Sequence, residues 1–286
     1  MLLVDFNQVV ISNFMAQVGN HTNIPLDESL LRHMILNTIR LNRNKFAGKY
    51  DEMVICCDSK KYWRRDVFPY YKASRKKDRE ASGVDWSTMF NTLSTVRQEL
   101  IDNFPYKTLM VEGAEADDII GTLVHKYNQY KKEILILSSD KDFMQLQIYP
   151  NVKQYSPVHK KYIRTADAEL YLKEHIIKGD RGDGIPNVAS PDSVFVTGGR
   201  QKPMRRKIID TIANTNVMMN GDELPEEIKR NFARNKQLVD LSETPDELQD
   251  QIVSEYTNYD IKDRSKLFNY FIDNKLKNLM ENLSEF

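Results

Sequence analysis

The sequence is poor in cysteine, has no net charge and contains no long apolar run, and each shortage removes a class of protein. Its two cysteines, Cys56 and Cys57, stand side by side in the run MVICC. Neighbouring strand residues point to opposite faces, so this pair suits buried packing in a reducing cytoplasm rather than a disulfide. No cysteine and histidine spacing suggests a zinc site. Nothing approaches the roughly 18–20 apolar residues of a membrane span, and nothing at the start resembles a signal peptide. The chain instead opens on MLLVDF, which reads as a buried strand. Lysine plus arginine number 41 and aspartate plus glutamate 41, which argues against a uniformly basic nucleic-acid binder.

What is present is unevenly distributed. The 286 residues, 41% of them hydrophobic, are enough for a full core in one large domain or two. Between Lys60 and Arg79 lie nine basic residues (Lys60, Lys61, Arg64, Arg65, Lys72, Arg75, Lys76, Lys77, Arg79) against only Asp66 and Asp78. The opposite sign gathers in VEGAEADDIIG, residues 111–121, with Glu112, Glu115, Asp117 and Asp118. Segregation of this kind is informative where net charge is not.

Four apolar runs read as strands, at 2–5, 53–58, 108–113 and 134–140. Helical patterns separate them, at 26–44, 86–103 and, after the acidic motif, 117–130. The alternation predicts an α/β fold with a mainly parallel central sheet flanked by helices. Residues 152–156 and 160–164 read as a hairpin. Beyond about residue 170 the pattern is helical, in LYLKEHIIKG, MRRKIIDTIANT, EEIKRNFARNKQLVDL and RSKLFNYFIDNKLKNLMENL. The first two are separated by a stretch rich in glycine and proline. An α/β domain at 1–175 and a helical domain at 176–286 are the expected division.

The acids recur where that sheet would gather them. Asp5 ends the first strand and Asp58 the second. Asp140 ends the fourth, with Asp142 two residues on, and Glu115, Asp117 and Asp118 follow the third. Ligands of open parallel sheets bind beyond the carboxyl ends of the strands. Taken singly, Asp5 suits a strand-end cap, Asp58 a turn, Asp142 an N-cap for FMQLQ, and one of Asp117 and Asp118 a helix cap. Glu112 falls within the strand end and is set aside. Capping explains one cluster but not the repetition. An all-oxygen set suits Mg²⁺ or Mn²⁺, and so many acids suit two ions of the kind that clamp a phosphoryl displacement.

Two further stretches face a polyanion by composition. KKYWRRDVFPYYKASRKKDRE interleaves cations with Tyr62, Trp63, Phe68, Tyr70 and Tyr71, and begins directly after Asp58. Cations meet phosphates and aromatic faces stack on unpaired bases. A charge run of this kind is otherwise an ordinary solvated face. GDRGDGIPNV, residues 179–188, carries Asp180 and Asp183 in a glycine-rich turn that can aim backbone N–H groups at phosphate; its plain alternative is a loop.

LVDF, ICCD, GAEADD, LSSDKDF and GDRGDGIPNV occur in the order found in the 5′-nuclease (flap endonuclease) family, which the chain resembles over essentially its whole length. YWRRD, YPNVKQYSP and HKKY look closest to a phage branch of it. The resemblance implies a PIN-like 5′-nuclease fold, a helical arch at about 60–85 and a helix–three-turn–helix module in the C-terminal domain. It implies 5′→3′ exonuclease and flap cleavage with two Mg²⁺ (Mn²⁺ as substitute), and ribonuclease H action on RNA–DNA hybrids. Its DNA partners are branched, 5′ flaps and forks, and the expected state is a cytoplasmic monomer without membrane contact. Asp5, Asp58, Glu115, Asp117, Asp118 and Asp140 match the tighter metal site and its neighbours; Asp142, Asp180 and Asp183 match the second. Arg64, Lys72 and Arg75 match catalytic arch cations that meet the scissile phosphate, and Tyr71 an arch aromatic. Gly184 and Ile185 match nucleic-acid contacts of the downstream turn. Two positions depart from the pattern: Asp183-Gly184 replaces Asp-Asn, and Pro186-Asn187-Val188 replaces Pro-Gly-Val, so this turn can grip a duplex differently. No segment specifies contacts to a single-strand-binding protein or sliding clamp, the replication partners the resemblance brings into consideration. The alternatives are a PIN-like ribonuclease, which needs neither arch nor C-terminal helices, and a silent branched-DNA binder, which would have lost acids.

Overall fold

The runs LLVD, MVIC and ILIL are buried along their whole length, as strands covered on both faces must be. In the computed structural model, which describes residues 1–18, 26–130, 132–214 and 225–286, they form the centre of one sheet. The first half contains β1 (Leu2–Asp5), α1 (Phe6–Val18), α2 (Glu28–Phe46), β2 (Met53–Cys56), α3 (Arg64–Val67), α4 (Arg75–Ala81), α5 (Trp86–Asn103), β3 (Lys107–Leu109) and α6 (Ala116–Tyr127). Then come β4 (Ile134–Leu137), a 3₁₀ segment (Lys141–Ile148), the hairpin β5 (Val152–Ser156) and β6 (Lys161–Ile163), and α7 (Ala168–Lys178). The remainder is α8 (Arg206–Asn214), α9 (Glu226–Val239), α10 (Asp246–Thr257), α11 (Ser265–Asp273) and α12 (Lys277–Met280).

The strand order is β3-β2-β1-β4-β5-β6, all neighbours parallel except the last pair. The mainly parallel sheet flanked by helices is thus as expected. The chain leaves β1 for β2 on one side and later returns to β4 on the other. This reversal opens a crevice beyond the carboxyl ends of β1 and β4. The strands are shorter than the apolar runs: residues 57–58, 110–113 and 138–140 lie past the ladder, and Asp58 and Asp140 among them line the cavity beyond the strand ends.

Alternation across the sheet builds two cores. Leu2, Val4 and Ile55 face one with α2 and α5, while Leu3, Val54 and Ile136 face the other with α6 and α10. Cys56 joins the second core and Cys57 the first, both as free thiols, which is the opposite-face packing the sequence predicts. Two helices are absent from the sequence reading. The apolar residues of α1 are spread around it instead of forming a stripe, and it follows β1 without a break. In α10, Leu248, Ile252 and Tyr256 are buried among eight polar or charged neighbours that mask the stripe.

Residues 176–286, expected as one helical domain, divide their packing. Ile176, Ile177 and Val188 pack with α8 and α9. Further on, α10 packs on α6, and Phe271 and Phe286 join the first core against Phe104, with ring centroids 6.0 and 5.6 Å away. Residues 179–205 link α7 to α8, continuing from Val188 as turns through about residue 197. No helix among the described residues is long and apolar enough to cross a membrane.

Candidate metal centre and nucleic-acid interface

Asp5 occupies the last position of β1 and is 5% exposed. Ser138 Oγ, just past β4, donates to its Oδ2 at 2.9 Å, and Gln8 fixes the next residue by accepting the Ser139 N–H at 2.9 Å. The two strand ends are therefore pinned side by side. Asp58 accepts the Ala116 N–H at 2.8 Å, capping α6 from another strand, and Asn7 Nδ2 at 2.7 Å. Asp117, in the first turn of α6, lines the same cavity of about 670 Å³ as Asp5, Asp58 and Asp140.

These acids repel one another. Burial, then Asp58 and Asp140, raises the Asp5 carboxyl to about 8. Burial, then Asp140 and Asp5, pushes Asp117 well above the carboxylate range, and burial raises Asp140 likewise. Scattered acids therefore do converge.

A second group is neutralised within the chain. The Arg64 guanidinium donates from Nε to the Leu238 carbonyl at 2.9 Å, and from Nη1 to Glu115 at 3.0 Å and Asp118 at 2.9 Å. Its Nη2 lies 2.8 Å from the other Asp118 oxygen, which also accepts from Trp63 Nε1 and Thr244 Oγ1. Asp118 Oδ2 accepts the Glu115 N–H as well, so both its oxygens are committed. Glu115 in turn pairs with the Lys72 ammonium, and the Tyr71 hydroxyl lies 2.9 Å from it and 3.0 Å from Asp183. Arg75 pairs with Asp183, and Lys72 Nζ stands 3.5 Å from it.

Backbone geometry holds this basic segment against the downstream loop. Lys72 has φ 55°, a left-handed conformation unusual for a side-chain-bearing residue, fixed by its N–H donating to the Asp183 carbonyl at 2.7 Å. Such strain, about 1–3 kcal/mol, survives only where surroundings impose it, and functional sites are its usual home. Gly184 has φ +73°, and a Cβ there would meet the Tyr70 carbonyl at 2.9 Å. The glycine that departs from the family pattern therefore keeps the left-handed turn that asparagine also tolerates. Asn187, the second departure, is buried and holds the loop by donating to the Lys202 carbonyl and accepting from Ser190 Oγ.

The third group lies across Asp140, which borders a separate open cleft with Asp142, His175 and Asp180. Burial, then Asp140, raises Asp142 to about 8. His175, in the last turn of α7, has Nε2 3.3 Å from Asp180 and Nδ1 3.5 Å from Asp142. The contact to His175 holds Asp180 below its ordinary range. Burial opposes charge on His175, but Asp180 and Asp142 outweigh it and raise its pKa.

Residues 1–176 match the family described as 5′-3′ exonuclease, N-terminal resolvase-like domain. The chain belongs to the 5′–3′ exonuclease family. Residues 166–286 of this exonuclease-family protein match the C-terminal family described as T4 RNase H, C terminal. It is 37% identical to the ribonuclease H of Enterobacteria phage T4, over 99% of this chain and 95% of that one. It is 34% identical to a 5′-3′ exonuclease of Buchnera aphidicola over 54% of this chain and 53% of the other. Among solved structures, the bacteriophage T5 5′-exonuclease with divalent zinc superimposes at TM-score 0.61 and 16% identity, over 91% of this chain and 98% of that one. The T5 flap endonuclease in complex with DNA and metal ions gives 0.61 and 17%, over 90% and 98%. At such identities the T5 structures bear on the fold alone.

Within this nuclease, three sequence expectations need correction. Arg64 is 2% exposed with its donors committed to Leu238, Glu115 and Asp118, so it organises carboxylates and cannot meet a scissile phosphate in this arrangement. The Tyr71 ring, also 2% exposed, offers no face for a base. Ile185 buries its side chain with Phe68 and Leu238 and donates its N–H to the Asp180 carbonyl, which leaves neither free for nucleic acid. The sequence reading also missed a donor. It passed over His175, which stands between Asp142 and Asp180; its signal was a histidine five residues before Asp180 on the helix leading into the loop. Arg97 of α5, on the wall of the first cavity, was missed too.

The donors fit divalent cations. Among the described residues Asp5, Asp117 and Asp140 form no ion pair like those of Glu115 and Asp118, and crowded carboxylates of this kind are what a hard cation neutralises. A stability test follows. Each raised carboxyl keeps its proton to higher pH in the folded chain than in the unfolded one, so the folded state binds more protons and stability falls as pH rises. The fall begins near 4, where the unfolded chain ionises, and continues to about 8, where Asp5 and Asp142 ionise. Metal-free protein should melt lower at pH 8 than at pH 5. Mg²⁺ at a hundredfold excess over its Kd should add about 2.7 kcal/mol at pH 8, roughly 5 °C or more. Thermal melts with and without EDTA measure this, and a melting temperature indifferent to Mg²⁺ would mean the acids are neutralised some other way.

Proposed function

We propose that the protein is a Mg²⁺-dependent 5′→3′ exonuclease and flap endonuclease with ribonuclease H activity, removing RNA primers and 5′ flaps during replication in the cytoplasm. The observation that carries this reading is the convergence of Asp5, Asp58, Asp117 and Asp140 on one cavity that Lys72, Arg75, Arg79 and Arg97 also line. Acids and cations lining one cavity suit a polyanion held against metal.

Asp5, Asp117 and Asp140, with Asp58 and Glu115 beside them, would hold one ion, and Asp142, Asp180 and Asp183 a second, with Mn²⁺ as the substitute. Two such ions supply Lewis-acid stabilisation to both oxygens of a phosphodiester displacement. The chain's own cations do the rest. Lys72 and Arg75 pair with Glu115 and Asp183, and an arriving phosphate would draw those ammonium and guanidinium groups onto its oxygens. Asp118 and Arg64 keep α6 in register, so that Asp117 keeps its aim. Backbone phosphate contacts by the loop at 179–188 are independent of base identity, which suits a nuclease that reads structure rather than sequence.

For Lys72→Ala, cleavage should fall about 10²-fold, the usual loss of one charge-stabilising group, with flap binding within a few-fold of the parent. Single-turnover rates set against binding isotherms check this; an affinity loss with an unchanged cleavage step would recast Lys72 as a docking residue.

The experiment that tests the whole reading is cleavage of a 5′-labelled flap and of an RNA–DNA hybrid, with Mg²⁺ and with EDTA. Short 5′ products from both substrates in Mg²⁺ alone are expected. Cleavage that persists in EDTA, or that spares both substrates, contradicts it. The T4 relative's name, ribonuclease H, supports including the hybrid, and the T5 complex with DNA and metal ions supports the flap.

A further inference from the structure

His175 is more than a counter-charge. Its side chain is 11% exposed, and Nδ1 is buried with no hydrogen-bond partner while Nε2 faces Asp180. An orphaned buried nitrogen is destabilising, and the contact of Nε2 with Asp180 does not relieve it. One ligand atom each from Asp142, His175 and Asp180 lies within 4.8 Å of the others. The Nδ1 to Asp142 Oδ1 separation is 3.5 Å, long for a hydrogen bond. Yet two ligands each about 2.1 Å from one ion stand roughly 3.0–3.5 Å apart. The spacing is that of adjacent donors on a shared cation. The three residues also border an open cleft, so an ion has a way in.

We propose that His175 Nδ1 is a ligand of the second divalent cation, beside Asp142, and that it gives this site a preference for Mn²⁺ over Mg²⁺. The proposal rests on the metal-dependent nuclease reading above and adds a nitrogen donor that the all-oxygen set lacks. Mg²⁺ favours oxygen and keeps its waters, whereas imidazole suits first-row transition ions. A neutral imidazole has one lone pair, so with Nδ1 on the ion, Nε2 carries the proton and donates it to Asp180 Oδ2. That bond fixes the ring, as carboxylate partners of metal-bound histidines do. Asp180 is held from its other side by the Asp183 N–H, which donates to Oδ1 at 3.0 Å. The histidine thereby couples the ion to the loop that carries Asp183.

Mn²⁺ is the probe, on the full chain. Pulsed electron paramagnetic resonance should detect nitrogen hyperfine coupling from a directly bound imidazole in the parent protein. In His175→Gln that coupling should vanish, and one class of Mn²⁺ sites should weaken about tenfold or more while Mg²⁺ affinity shifts far less. Bound Mn²⁺ without nitrogen coupling in the parent overturns the inference and leaves the metal-dependent reading standing. So do Mn²⁺ isotherms that coincide for parent and variant. A chain that binds no Mn²⁺ at all removes both. The parent spectrum needs no substitution, so a variant that misfolds does not rescue the idea.

Discussion

Asparagine in place of Asp117 is expected to lower flap cleavage by about 10²–10³-fold while raising the melting temperature of the metal-free protein at pH 8. Both effects come from one carboxylate. Asp117 stands in the first turn of α6, and burial with Asp140 and Asp5 lifts its pKa well above the usual range. Among the described residues its side chain has no hydrogen-bond donor or ion pair, in contrast to its neighbour Asp118, which is surrounded by donors. In the proposed centre that carboxylate would be a metal ligand, and its loss would remove stabilisation of charge developing on the phosphate. Without metal the same charge is a liability, because burial beside Asp140 and Asp5 opposes ionisation of Asp117; the amide carries no such cost. Each kcal/mol relieved is worth about 2–4 °C in a chain of this size. Flap cleavage and EDTA melts, run on the same preparation, read both. Loss of activity together with a lower melting temperature would make Asp117 a structural residue, and retained activity would remove it from the centre.

Arg64→Met is expected to act in the opposite sense, destabilising the protein with metal present or absent. The substitution keeps the side chain's length but strands Asp118, at 0% exposure, and removes one of the partners of Glu115. Removing one member of a buried ion pair costs about 3–5 kcal/mol, because the remaining charge stays buried, so a fall of roughly 6–20 °C in melting temperature should follow. Asp118→Asn combined with Arg64→Met should recover part of it, since the stranded charge is then gone. Thermal melts of the two variants decide. A single variant that melts like the parent would mean that water reaches Asp118 and that the network is not what orders α6.

How much of this was legible beforehand depends on what kind of residue carried it. The sheet was, because LLVD, MVIC and ILIL are too continuously apolar to lie on a surface, and the adjacent cysteines told of two covered faces. The acids were, because Asp5, Asp58 and Asp140 close the first, second and fourth apolar runs, and strand ends in a parallel sheet share one edge. The division of labour among those acids was not. Asp117 and Asp118 are adjacent in sequence, but the helix turns them in different directions: one lines the cavity and the other meets Arg64, Trp63 and Thr244. Those partners come from positions as distant as 244, and no local pattern announces them. Arg64 was misassigned for the same reason. In a run of nine cations it reads as solvated, and only the Leu238 carbonyl, far along the chain, shows that it is enclosed. His175 was invisible for want of a second histidine or cysteine at ligand spacing, since its companions are carboxylates from two other segments.

The central physical claim is that these buried carboxylates share divalent cations, and anomalous scattering from a crystal grown with Mn²⁺ tests it most directly. Two peaks are predicted, one among Asp5, Asp117 and Asp140 and one beside Asp142 and Asp180. A well-ordered map with no peak within bonding distance of Asp5, Asp117 or Asp140 would contradict the account.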